Sequence, residues 1–226
     1  MKKLSRNSDN ANKRNSVESI IKHIPAESID SVRWIENHVS VHCADPRHAF
    51  HTRDLALGLF DALRQLHGYE SRQRLILEAA SLLHDIGMTP GHEDDHHKIS
   101  RDIILSLEMP GIHGNDRILC AQVARFHRKS EPDREKHKTF TRLASEERLC
   151  VQWLSGILRV ADGLDRCHIG LVDRPTIVLT SAECLIRIQS RQAVYEAEAA
   201  TRKGGLLQTL MGRKLTILLN GPGDRP

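Results

Sequence analysis

Glu78-Ala79-Ala80-Ser81-Leu82-Leu83-His84-Asp85-Ile86-Gly87 carries the fold and the chemistry together. Leu75, Ala79, Leu82, Leu83 and Ile86 recur at helical spacing, Gly87 stops the pattern, and Pro90-Gly91 breaks the chain just beyond. The pair His84-Asp85 is thereby expected in the last helical turn, beside a loop. With 14 histidines and 15 aspartates among 226 residues, roughly one such dipeptide is expected by chance, so its weight rests on its surroundings.

The neighbouring segments repeat the helical pattern. Asp45-Pro46 supplies an N-cap acceptor and a first-turn proline, and Leu55, Leu59, Ala62, Leu63 and Leu66 follow on one face of a helix that carries His48. Ile99, Ile103, Ile104 and Leu107 mark another helix, and Ile118, Leu119, Val123 and Phe126 one that ends near His127. Leu149, Trp153, Ile157, Val160, Ala161 and Leu164 predict a central helix bearing Arg159, Asp162, Asp165 and Arg166, with Asp162 turned inward. Beyond Gly170 the character changes. Residues 176–179, 185–188 and 215–219 read as strands, with a helix from about Tyr195 to Leu210 between the last two. The expected fold is mainly α, a helical domain over 17–168 followed by a small α+β domain over 169–220, between a disordered basic tail (1–16) and a short tail (221–226).

A net charge of +4 with 27 % charged residues describes an ordinary soluble surface, compatible with phosphorylated ligands but too weakly basic to argue for nucleic acid. Aromatic residues at 4 % leave few platforms for base stacking. Cys43, Cys120, Cys150, Cys167 and Cys184 are odd in number and lack a Cys-x-x-Cys pair, so they read, with the tryptophans, as reduced interior residues. Met1 to Ser16 is polar and basic with no apolar stretch behind it, which predicts a cytoplasmic protein without a membrane span.

His48, His84, Asp85 and Asp162 lie on three predicted helices, and a His/Asp mixture suits Mn, Fe, Zn, Co or, less comfortably, Mg. Such an ion keeps open positions for water and a phosphoryl oxygen, which makes hydrolysis of a phosphoester by a metal-activated water the expected chemistry. The segment Gly91-His92-Glu93-Asp94-Asp95-His96-His97, with His127, offers ligands for a second ion that Asp85 would bridge. One or two divalent ions are therefore expected.

Seven segments in register carry a resemblance. They are Asp45-Pro46-Arg47-His48-Ala49, Leu59-Phe60-Asp61-Ala62-Leu63, Leu66-His67-Gly68, Glu78 to Gly87, His96-His97-Lys98, Ala124-Arg125-Phe126-His127-Arg128-Lys129 and Ile157-Leu158-Arg159-Val160-Ala161-Asp162-Gly163-Leu164-Asp165-Arg166. From about residue 45 to 220 the chain resembles the HD superfamily of metal-dependent phosphohydrolases and, more narrowly, the C-terminal part of the Ppx/GppA exopolyphosphatase and guanosine pentaphosphate phosphatase family. The resemblance implies a helical HD-domain bundle, ligands at His48, His84, Asp85 and Asp162, additional ligands at His96 or its neighbour His97 and at His127, and pairing of subunits. Ile99 stands where the family pattern has a further histidine, and the last segment, with Gly212-Arg213-Lys214-Leu215, has Ala and Leu where aromatic residues are usual. The 44 residues before Asp45 are too few for the family's actin-like phosphatase domains, so the chain is expected to lack that active site.

Around this set, Arg125, Arg128, Lys129, Arg159 and Arg166 are candidates for phosphate, with Arg128 and Lys129 favoured, although helix arginines commonly pair with local carboxylates. Asp85, Glu93 and Asp94 are the candidate catalytic carboxylates, the latter two as acids toward a leaving oxygen. His51 reads as a surface or supporting residue and His92 as part of a solvated loop. Buried without a metal, His84, Asp85 and Asp162 would be hydrogen-bonded core residues at considerable desolvation cost. Two functions follow: a phosphohydrolase acting on a nucleotide, a guanosine alarmone or polyphosphate, or a non-catalytic module that binds phosphorylated ligands or partners a separate Ppx/GppA-type phosphatase.

Overall fold

A computed structural model of the protein describes residues 26–220, with side chains from Ile29 onward. The tails expected at 1–16 and 221–226 lie outside the described residues.

The helices run in the order α1 (Ala26–His42), α2 (Pro46–Ala62), α3 (Arg64–His67), α4 (Ser71–Leu83), α5 (His96–Ser106), α6 (Gly114–Arg125), α7 (Lys138–Thr141) and α8 (Ser145–Gly163). Strands β1 (Thr176–Leu179) and β2 (Glu183–Ile188), helices α9 (Val194–Lys203) and α10 (Gly205–Met211), and strand β3 (Lys214–Leu219) follow. The protein is mainly α with a small three-stranded sheet near its C-terminus, in the order β1-β2-β3. β1 pairs antiparallel with β2, and β3 returns parallel to β2, so that Ile186 lies beside both Ile177 and Ile217. The parallel return requires a crossover, and α9 and α10 supply it.

α8 is central. Val151, Leu154, Ile157, Leu158, Val160 and Ala161 are all fully buried, because α2, α4, α6, α9 and α10 pack around it. A helix buried on all sides over its second half needs such a shell. The core that includes Leu82, Phe126 and Val160 continues without interruption through Cys184, Ile186, Leu207 and Leu215. Two glycines of α8 make room for the crossover helices. A Cβ on Gly163 would stand 2.6 Å from the Cα of Ala200, and one on Gly156 3.4 Å from the Cα of Leu207.

Several local expectations are refined. Asp45 caps α2 as predicted, its carboxylate accepting the His48 N–H at 3.1 Å. Regular α4 ends at Leu83, one residue before the dyad; His84 is its C-cap and Asp85 begins the turn that Gly87 closes. The single helix expected over 195–210 is two helices, divided at Gly204, where a Cβ would stand 2.4 Å from Leu215 Cδ2 of β3. Not all cysteines are interior. Cys120, Cys150 and Cys184 are buried and Cys43 half-buried, whereas Cys167 is exposed because it lies in the loop after α8 rather than on the packed helix. Trp153 is buried and Trp34 only half-buried. Among the described residues no helix is long and apolar enough to cross a membrane.

Candidate metal centre

His48 stands in the first turn of α2, His84-Asp85 in the turn after α4, His96 at the start of α5, His127 just past the end of α6, and Asp162 in the last turn of α8. Five elements separated in sequence bring six side chains to one place. Two clusters result, His48-His84-Asp162 and Asp85-His96-His127, each with ligand atoms mutually within 4.8 Å and each able to hold a metal ion.

Asp85 joins the two. Its Oδ2 lies 3.5 Å from His84 Nε2 and 4.0 Å from His48 Nε2, while its Oδ1 lies 3.0 Å from His96 Nε2 and 3.5 Å from His127 Nε2. One carboxylate oxygen thus faces each cluster. Close as His96 is, the enclosed Oδ1 is left without a hydrogen-bond partner. An orphaned buried carboxylate oxygen among imidazoles is the environment a cation satisfies.

The imidazoles are oriented from behind. His84 Nδ1 donates to Ser81 O at 2.7 Å, His127 Nδ1 to Ala124 O at 2.7 Å, His96 Nδ1 to Glu93 O at 2.6 Å, and His48 Nδ1 to Asp165 Oδ2 at 2.8 Å. These oxygens only accept, so the outer nitrogen carries the proton and the inner Nε2 is directed at the centre. The inner nitrogens crowd together: His48 and His84 stand 3.3 Å apart, as do His96 and His127. His84 and His127 are fully enclosed, and burial lowers both pKa values, leaving neutral rings suited to ligation.

The carboxylates stay ionised against burial. Desolvation opposes the charge on Asp85, but His84, His96 and His127 overcome it and hold the carboxyl well below its usual range. Asp162 is lowered in the same way, against burial, by the ammonium of Lys203 and by His48. Asp165, receiving His48, a close approach of His51 Nδ1 at 3.2 Å and the Gly170 N–H at 2.9 Å, is likewise lowered. Burial also works against a charge on His48, yet Asp162 and Asp165 push its imidazole up to about 10.

The remaining sequence candidates divide. His97 is buried but belongs to neither cluster; its Nδ1 has no partner, and burial and the Arg125 charge lower its pKa to about 3. Glu93 contributes its carbonyl to His96, while its exposed carboxylate accepts the Gly91 N–H at 3.0 Å. Asp94 is exposed and paired with Lys129 Nζ at 2.9 Å. Arg128 lies over the edge of the second cluster, donating from Nη1 to Glu93 O at 3.1 Å. Arg125 is buried beside the Phe126 ring, and Arg166 is exposed beyond α8. Arg159 is tied to backbone: it donates to the carbonyls of Phe126 at 3.0 Å, Lys129 at 3.3 Å and Lys203 at 3.4 Å.

Three residues of the centre escape a sequence reading. Asp165, in the turn after α8, orients His48, and its place three residues after Asp162 was the available signal. His168, at φ +59°, stacks on the His48 ring with centroids 3.6 Å apart and donates to Asp45 at 2.9 Å. Lys203 forms a short salt bridge to Asp162 Oδ2.

The sequence pattern described as Ppx/GppA phosphatase, domain III, matches residues 31–204. The chain belongs to this family. No curated protein matches it. The span matched as Ppx/GppA domain III contains both clusters, Asp165 and Lys203, and so relates the whole buried centre to a phosphatase family.

Proposed function

We propose that the chain is a metal-dependent phosphohydrolase of the HD type, cleaving a phosphoester or phosphoanhydride in a nucleotide, a guanosine alarmone or a polyphosphate-like chain. The observation that carries this reading is Asp85, with one oxygen toward each cluster of inward Nε2 atoms. The fit to a metal is supported by the orphaned Asp85 Oδ1 and by the mixed nitrogen and oxygen donors, which suit Mn, Fe, Zn or Co better than Mg. His48, His84 and Asp162 would hold one ion, and His96 and His127 a second, with Asp85 between them. When bound, such ions polarise a phosphoryl oxygen and acidify a water.

The protein's own groups supply the rest. Asp165 and the carbonyls of Ser81, Glu93 and Ala124 fix the imidazoles, and the low-lying carboxyls of Asp85 and Asp162 keep the donors ionised at neutral pH. Arg128, which donates to Glu93 O beside His96, and Lys129, paired with Asp94, would attract a phosphate group.

A second reading, a module that binds phosphorylated ligands or a separate phosphatase without turnover, draws on one observation. The centre is nearly closed: the Asp85 and Asp162 side chains are each 12 % exposed, and those of His48, His84, His96 and His127 at most 2 %. Phosphate release from nucleoside triphosphates, a guanosine alarmone and polyphosphate by the Mn²⁺- or Fe²⁺-charged protein separates the two. The hydrolase reading expects turnover that falls at least about 100-fold in Asp85→Asn, on the scale of losing a group that organises the reacting centre. Tight binding of these compounds without turnover would favour the module.

A further inference from the structure

Among the described residues Lys203 is the one lysine or arginine paired with a ligand of the first cluster, and the fold fixes it there from three sides. Gly163 allows the backbone of α9 to lie against α8, with Ala200 at a distance that no side chain at 163 would permit. Arg159, projecting from α8, donates to the Lys203 carbonyl. Gly204 then ends α9 under Leu215, so that Lys203 occupies the last position of the helix with its side chain directed back to Asp162.

The division of labour on Asp162 is informative. Oδ1 faces His48 Nε2 at 3.4 Å and belongs to the cluster, whereas Oδ2 holds the ammonium. A cation bound by His48, His84 and Oδ1 leaves the Lys203 contact intact. An ammonium has three donors, and the Lys203 side chain, 20 % exposed, reaches solvent more than any ligand of the cluster does. Its remaining N–H groups therefore stand at the open edge of the centre, one carboxylate away from the first ion position. A compact positive charge in that location attracts an anion and mildly repels a dication.

We propose that Lys203 binds a phosphoryl oxygen of the ligand, coupling anion binding to the loaded first cluster. The inference rests on the metal-centre reading given above. It assigns to α9, outside the histidine-bearing helices, a residue that, beside Arg128 and Lys129, distinguishes a phosphorylated ligand from a neutral one.

Calorimetric titrations with Mn²⁺ alone, and then with inorganic phosphate on the Mn²⁺-loaded protein, test it in wild type, Lys203→Met and Lys203→Gln. The glutamine retains a donor to Asp162 and guards against a folding defect in the methionine variant. Loss of one charge-assisted hydrogen bond predicts phosphate binding weaker by roughly 10- to 100-fold, with Mn²⁺ binding unchanged or tighter. Phosphate binding equal to wild type in the glutamine variant would overturn the proposal, as would equal weakening of Mn²⁺ and phosphate, which would make Lys203 only a support for Asp162. Failure of the wild type itself to bind Mn²⁺ would instead remove the metal-centre reading, and this inference with it.

Discussion

Asp165 accepts the Nδ1–H of His48 at 2.8 Å, and the other face of the same ring turns Nε2 toward Asp162, His84 and Asp85. A carboxylate behind a ligating imidazole fixes its orientation and raises its basicity, and loss of such a partner typically weakens metal binding 10- to 100-fold. Asp165→Ala is accordingly expected to weaken Mn²⁺ binding by roughly that factor while every cluster residue remains in place. Calorimetric affinity within twofold of wild type would contradict the assignment.

The same ring sets a pH dependence. Burial disfavours the charged form of His48, but Asp162 and Asp165 raise its pKa to about 10, so the metal-free ring is charged at neutral pH. Because the folded value lies above the unfolded one, this ion-pairing stabilises the metal-free fold fully below about pH 6.5 and is lost as pH rises through about 10. A metal must expel the Nε2 proton, so its apparent affinity rises with pH over that window. Titrations at pH 8 in buffers of different ionisation enthalpy should report the release of about one proton, traceable to His48; absence of buffer dependence would refute it.

Two close backbone approaches hold the centre together. A Cβ at Gly87 would stand 2.5 Å from Ser100 N and 2.7 Å from His96 O, and one at Gly163 2.6 Å from Ala200 Cα. Gly87→Ala should displace His96 and weaken binding at the second cluster more than at the first. Gly163→Ala should separate α9 from α8 at a cost of about 1–3 kcal/mol, read as a melting temperature lower by several degrees. Melting curves and metal stoichiometry for both variants separate these effects.

Among the basic residues, Arg159 and Arg166 should behave oppositely. Truncating Arg159 leaves the Phe126 carbonyl and its neighbours without their donor, and Arg159→Ala is expected to lose about 2–4 kcal/mol of stability. Arg166 is exposed after the end of α8, and its substitution should leave the melting curve unchanged. Equal losses in denaturant titrations would contradict this division.

The helical periods and the capping pair Asp45-Pro46 made α2, α4, α5, α6 and α8 legible in the sequence, because each buries a regular apolar face. The strands were legible from their short apolar runs between turn residues, to within two residues at their starts. The break at Gly204 was not, since it depends on Leu215 pressing from β3, a tertiary contact with no local signature. Within the centre, histidine and aspartate types at helix ends pointed to side chains that the fold brings together. The choice of His96 over His97 to face Asp85 needed the turn that Gly87 and Ser100 fix, with the Gly87 N–H donating to Ser100 Oγ at 3.0 Å. Lys203 lies 41 residues from Asp162 and becomes a neighbour only through the crossover that lays α9 on α8.

The most direct test of the account is metal content. Protein purified without added metal or chelator, measured by plasma mass spectrometry as wild type and as His84→Ala with Asp85→Ala, should carry about one to two equivalents of Mn, Fe, Zn or Co, lost in the double variant. No stoichiometric metal in the wild type, even after reconstitution with Mn²⁺ or Fe²⁺, would contradict the metal centre.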